Sequence, residues 1–161
     1  KKNVDYNATD FSLLYFLQNV SEEGVADLID KPLLQSQGSP VYKEVKQLTE
    51  NDEALSMQYI KSLDSLLSLA FTSEKVLEQF GSFANFANTF GRNGGHIPGR
   101  FMGVVINETG LLQKHLIAVE NPISFITTYN EAVRKGGKKY PVFSQESIAY
   151  LQKLKAKYWQ E

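Results

Sequence analysis

The 161-residue sequence contains no cysteine, two histidines and one tryptophan. Without cysteine the chain has no disulfide, no thiol nucleophile and no zinc site built on thiolate ligands. It also lacks an apolar run of roughly 18 residues, the length that a membrane span needs. We therefore expect a soluble protein without a transmembrane segment. The net charge of −1 disfavours nucleic acid as a partner.

Sequence motifs for metals, nucleotides and nucleophiles are also missing. Neither His96 nor His115 has a second histidine or a glutamate at the HExxH or ExxH spacing of helical metal sites. The glycine-rich phosphate loops and the GxSxG nucleophile turn do not occur. We therefore expect no metal and no cofactor. We interpret His115 as a partly buried histidine with a hydrogen bond rather than as a ligand.

The sequence is rich in apolar residues at helical spacing. Met57, Ile60, Leu63, Leu67 and Ala70 follow one another at intervals of three or four. This pattern is typical of a helix with one buried face. Similar segments recur along the chain, with no low-complexity tract or long linker between them. The sequence therefore predicts an all-α fold, a single domain over residues 1–161 built as a bundle of six to seven amphipathic helices.

Capping residues and prolines predict where these helices begin and end. A first helix begins near residue 9, and Ser21, followed by two glutamates, is typical of a second start. That second helix should end before Pro32, because proline interrupts a helix interior. A short helix is expected over residues 39–48. Asn121-Pro122 predicts a further helix, with a capping side chain followed by proline in the first turn.

Residues 101–119 allow two interpretations. Asn107-Glu108-Thr109-Gly110 lies between two apolar runs and is typical of the turn in a small β-hairpin. The spacing of Met102, Val105, Thr109 and Leu112 nevertheless fits a helix. We favour the helix, with the hairpin as the alternative.

The glycine-rich segment 91–100 is the first candidate site. It holds four glycines together with Arg92, His96 and Arg100. Glycines let the backbone approach a ligand, and the basic side chains supply hydrogen-bond donors. Next to a helix N-terminus, this combination predicts an anion- or ligand-binding site. The alternative is an ordinary connection between helices with its arginines in solvent.

Two other clusters lie on predicted helices. Phe80, Phe83, Phe86 and Phe90 share one side of a helix expected to run from residue 73 to 90. Such aromatic rings form either the core or an apolar ligand pocket. Glu23, Asp27 and Asp30 cluster on one side of an earlier helix, and we interpret them as a solvated face.

These observations favour a non-enzymatic binding or interaction module. The expected partner is another protein or a second copy of the chain. One alternative is a carrier or sensor that holds a small molecule or lipid in the phenylalanine pocket. The other is an anion-binding domain or enzyme that uses the segment 91–100.

Overall fold

The computed structural model describes residues 5, 7–36, 53–91 and 93–158. Within these ranges the chain is all-helical and has no strand, which confirms the predicted all-α bundle. Two short 3-10 helices, Glu74–Leu77 and Asn93–Gly95, accompany the α-helices. The described ranges contain seven α-helices: α1 Thr9–Ser36, α2 Glu53–Thr72, α3 Phe83–Phe90, α4 His96–Glu108, α5 Leu112–Ile117, α6 Pro122–Gly136 and α7 Gln145–Tyr158.

Helix α1 is one continuous helix where the sequence predicted two. It continues through Ser21 and through Pro32 to Ser36, so the expected break before the proline is wrong. Ser21 lies inside this helix, and its buried hydroxyl contacts His115 Nε2 at 3.2 Å. The short helix predicted over residues 39–48 lies outside the described residues.

The segment 101–119 contains helices and no strand, as favoured from its spacing, but it is divided into two helices where the spacing predicted one. It forms the second half of α4 and then α5, with a turn around Gly110 between them. Gly110 has a φ of 74°, a left-handed conformation that ends the first helix. The hairpin alternative is therefore wrong: its turn sequence joins two helices instead of two strands.

The helix predicted over residues 73–90 is divided into two pieces. A 3-10 helix covers Glu74–Leu77, and α3 begins only at Phe83. Gly81 lies between them with a φ of 66°. A left-handed residue cannot continue a right-handed helix, and this one redirects the chain.

The core lies between α1, α2, α4, α6 and α7. Helix α1 packs along α4 and also contacts α6, while α2 packs against α7. None of the described helices is long and apolar enough to cross a membrane. The largest fully enclosed side chains come from all parts of the bundle: Leu13, Phe16, Leu17, Ile60, Leu63, Leu67, Leu77, Phe86, Met102, Phe125, Tyr129 and Tyr150.

Candidate functional site

Helices α1 and α4 pack with their backbones in direct contact. A Cβ placed on Gly24 would lie 2.5 Å from the carbonyl oxygen of Gly99. A Cβ on Gly103 would lie 2.7 Å from the carbonyl oxygen of Gly24. Any larger residue would push the two helices apart, so glycine permits an approach that side chains would block. Polar residues next to these glycines are consequently brought together across the two helices.

The residues brought together are Glu23, Asp27 and His96, which we name the carboxylate–imidazole cluster. His96 Nε2 lies 3.1 Å from Glu23 Oε2, and His96 Nδ1 lies 3.6 Å from Asp27 Oδ1. The carboxylates are four residues apart on α1 and therefore share one face. His96 is 42% exposed and Glu23 is 31% exposed, whereas Asp27 is 8% exposed. The cluster is therefore accessible to solvent at His96 and Glu23, whereas Asp27 is buried.

Two of the sequence-based interpretations meet at this cluster. We predicted a solvated acidic face, but Asp27 is buried and the imidazole of His96 covers both carboxylates. We also placed His96 in an anion-binding segment with Arg92 and Arg100. Arg92 lies outside the described residues, and Arg100 follows His96 by one turn of α4. The anion site stays a prediction, and His96 itself faces negative charge.

The backbone before His96 is held in an unusual conformation. Gly94 and Gly95 have φ values of 76° and 108°, and α4 begins at the next residue. The side-chain amide of Asn19 donates a hydrogen bond to the carbonyl oxygen of Gly94. These two glycines and Asn19 therefore fix the backbone position of His96, whose side chain contacts α1.

The predicted phenylalanine pocket is packed largely against itself and α1. The rings of Phe80 and Phe86 stack with their centroids 4.9 Å apart, and Phe16 of α1 stacks on Phe86 at 6.4 Å. Phe86 and Phe90 are buried, while Phe80 and Phe83 are partly buried at the edge of the core. These contacts explain the aromatic spacing by core packing. The apolar ligand pocket stays a prediction.

His115 belongs to a separate, enclosed network. Its Nδ1 lies 2.9 Å from Ser124 Oγ, and its Nε2 lies 3.2 Å from Ser21 Oγ. Ser124 Oγ donates to the carbonyl oxygen of Ala118 and therefore accepts from His115 Nδ1–H. Burial lowers the pKa of His115 below its ordinary value of 6.5. His115 is therefore hydrogen-bonded as expected, but it is fully rather than partly buried.

A second charged surface lies where the start of α1 meets the end of α7. Asp10 accepts hydrogen bonds from Lys157 Nζ and from Tyr158 OH, the latter at 2.6 Å. Burial and the hydrogen bond to Asp10 raise the pKa of Tyr158 to about 12. The charged side chains on this surface pair with one another, and none of them is a histidine. We therefore regard this surface as structural.

The fold and the cluster define an all-helical protein with an accessible imidazole held between two carboxylates. The family model described as "Putative zinc dependent peptidase (DUF5700)" matches residues 1–138, and the chain belongs to this family. No curated protein and no solved structure matches it. The family is described by an enzymatic activity, so our prediction of a non-enzymatic interaction module is wrong.

The family description implies zinc, and the residues present can be compared with that requirement. Catalytic zinc is usually held by three protein ligands that include at least two histidine or cysteine side chains. In the cluster, the two carboxylates contact different nitrogens of His96 and therefore do not converge with one nitrogen on a common point. Over the described parts of the chain, no group of three or more potential ligands could hold a metal ion. These residues do not fit a zinc site by themselves.

Proposed function

We propose that the protein acts in peptide-bond hydrolysis and that the carboxylate–imidazole cluster is the part of the described surface that contacts the peptide. The observation that carries this proposal is the family match over residues 1–138. The location is supported by His96, the one accessible imidazole of the chain, since His115 is enclosed.

The chemistry of the cluster suits a peptide substrate. Glu23 can accept a hydrogen bond from a peptide N–H or from an amino group. His96 can donate a hydrogen bond to a carbonyl oxygen or act as a proton-transfer group, a role that histidine fills more often than any other side chain. Asp27 is buried and lies 3.6 Å from His96 Nδ1, so it favours ring orientations that keep Nδ1 toward its carboxylate. We assign Glu23 and His96 to substrate contact and Asp27 to positioning.

The backbone contact between α1 and α4 supports this assignment. A substrate-binding group needs to be held by rigid elements, and the glycine packing fixes the separation of the helices that carry Glu23 and His96. The cluster also lies at the start of α4, where backbone N–H groups lack helical partners and can meet a carbonyl oxygen.

The experiment is peptide hydrolysis by the purified protein, measured by mass spectrometry on a mixture of short peptides with zinc supplied in the buffer. We expect cleavage, and we expect His96→Asn to lower it by about a hundredfold, a typical contribution of a proton-transfer group. Glu23→Gln should also lower it, because it removes the charge that accepts a hydrogen bond from the peptide. Glu108→Gln is the matched control, because Glu108 forms an exposed ion pair with Lys138 at the other end of α4.

Circular dichroism would establish that all three variants fold. Absence of cleavage by the unsubstituted protein would refute the proposed activity. Full cleavage by both cluster variants would refute the location of the site.

A further inference from the structure

We infer that tightly bound zinc, if the proposed function uses it, takes at least one nitrogen or sulfur ligand from outside these 161 residues. This inference rests on the proposed function, since the source of zinc ligands matters only if the protein hydrolyses peptide bonds. The donors themselves can be counted from the sequence, which has two histidines and no cysteine. That count covers every residue of the chain.

The two histidines lie on different sides of α1. His115 contacts Ser21, and His96 contacts Glu23. Residues two apart on a helix are separated by about 200° around its axis, since each residue adds about 100°. The body of α1 therefore stands between the two imidazoles, and one ion cannot bind both.

His115 is also unable to leave its network without disrupting the core. It has no exposed surface, and both of its ring nitrogens already have serine partners. Its ring packs beside Phe125, with centroids 5.0 Å apart. The chain can therefore offer zinc a single nitrogen, from His96, together with carboxylates.

One nitrogen ligand with several carboxylates gives fewer nitrogen and sulfur ligands than the known catalytic zinc sites have. The sets built from three histidines, from two histidines and a glutamate, or from two cysteines and a histidine all hold at least two nitrogen or sulfur donors. Carboxylates alone suit harder cations such as magnesium and calcium. The missing donor has to come from another chain or from additional sequence of the same protein, and without it the 161-residue chain holds zinc only weakly, when excess zinc is supplied as in the hydrolysis assay.

The experiment measures zinc retained by the purified 161-residue chain after dialysis, by elemental analysis against protein concentration. The melting temperature is followed with one equivalent of added zinc and with a chelator. We expect well below one zinc per chain and the same melting temperature in both solutions, because a ligand that binds only the folded state would raise it.

One zinc per chain would overturn the inference, whether or not it is lost in His96→Asn and Glu23→Gln. Hydrolysis is read separately, so the two proposals can fail independently. Cleavage together with one retained zinc contradicts only the inference. No cleavage and no retained zinc contradicts only the proposed activity of this chain. A chain that retains zinc without cleaving peptides contradicts both.

Discussion

Val20 of α1 and Gly99 of α4 are in backbone contact, because the Val20 carbonyl oxygen fills the space that a Cβ on Gly99 would need. The amide nitrogen of Gly24 lies 3.1 Å from the same point. His96 precedes Gly99 by three residues, and Glu23 precedes Gly24 directly. The distance between His96 and Glu23 is therefore set by glycine packing as well as by their charges.

Gly99→Ala should lower the free energy of unfolding. The added methyl group meets backbone on α1, which cannot rotate away, and forced overpacking costs typically about 1–3 kcal/mol. Urea denaturation measures the change. Gly136→Ala is the control, because a Cβ there meets only the side-chain methyl of Thr109, at 3.3 Å. Equal stability of the two variants would contradict the tight contact.

The elements that follow from local signals were predictable from sequence. Asn121 caps α6 by accepting from the backbone N–H of Ile123 at 3.2 Å, with Pro122 in the first turn as expected. The start of α7 is fixed by a similar local contact, since Ser144 Oγ accepts from the N–H of Ser147. These signals act within one turn of helix and need no information from the rest of the chain.

The carboxylate–imidazole cluster depends on contacts between distant segments, and local sequence patterns therefore do not predict it. Glu23 and Asp27 show helical spacing, but nothing near them in sequence reveals the imidazole that meets them. A usable signal was the spacing of four between Gly95, Gly99 and Gly103, which is typical of helices in close contact. Gly24, beside Glu23, marks the matching position on α1.

Asn130 should be essential for holding the segment between α6 and α7. Its side chain donates to the carbonyl oxygen of Phe143 at 2.8 Å and accepts from the Phe143 N–H at 2.9 Å, with both residues buried. Asn130→Ala leaves two buried backbone groups unpaired, each costing about 1–3 kcal/mol. The exposed Asn107→Ala should stay within about 0.5 kcal/mol of the unsubstituted protein. Chemical denaturation of both variants gives the comparison.

Asp64 joins α2 to the start of α7. Its Oδ1 accepts from Ser144 N at 2.7 Å and from the hydroxyls of Ser144 and Ser147 at 2.9 and 2.6 Å. Asp64→Ala removes all three bonds, and we expect a loss of about 1–3 kcal/mol. Ser65→Ala, at the next and exposed position, should change the free energy of unfolding little. A loss of similar size in both variants would show that Asp64 has no special role.

His115 should make the folded state less stable in mild acid. The unfolded chain binds a proton at His115 near pH 6.5, whereas burial lowers the pKa of His115 in the folded protein. Below pH 6.5 the unfolded state therefore holds more protons, and the free energy of unfolding decreases as the pH falls toward the lower folded pKa. Above pH 6.5 this contribution to stability is fully present.

Urea denaturation at pH 7.5 and pH 5.5 measures that difference, and His115→Asn separates it from other titrations. Asparagine keeps a polar side chain near Ser21 and Ser124 but does not titrate. His96 and every carboxylate remain in the variant, so their contributions cancel in the comparison. The variant should be less stable overall, yet it should lose less stability between the two pH values. An equal loss in both proteins would show that His115 protonation is not coupled to folding.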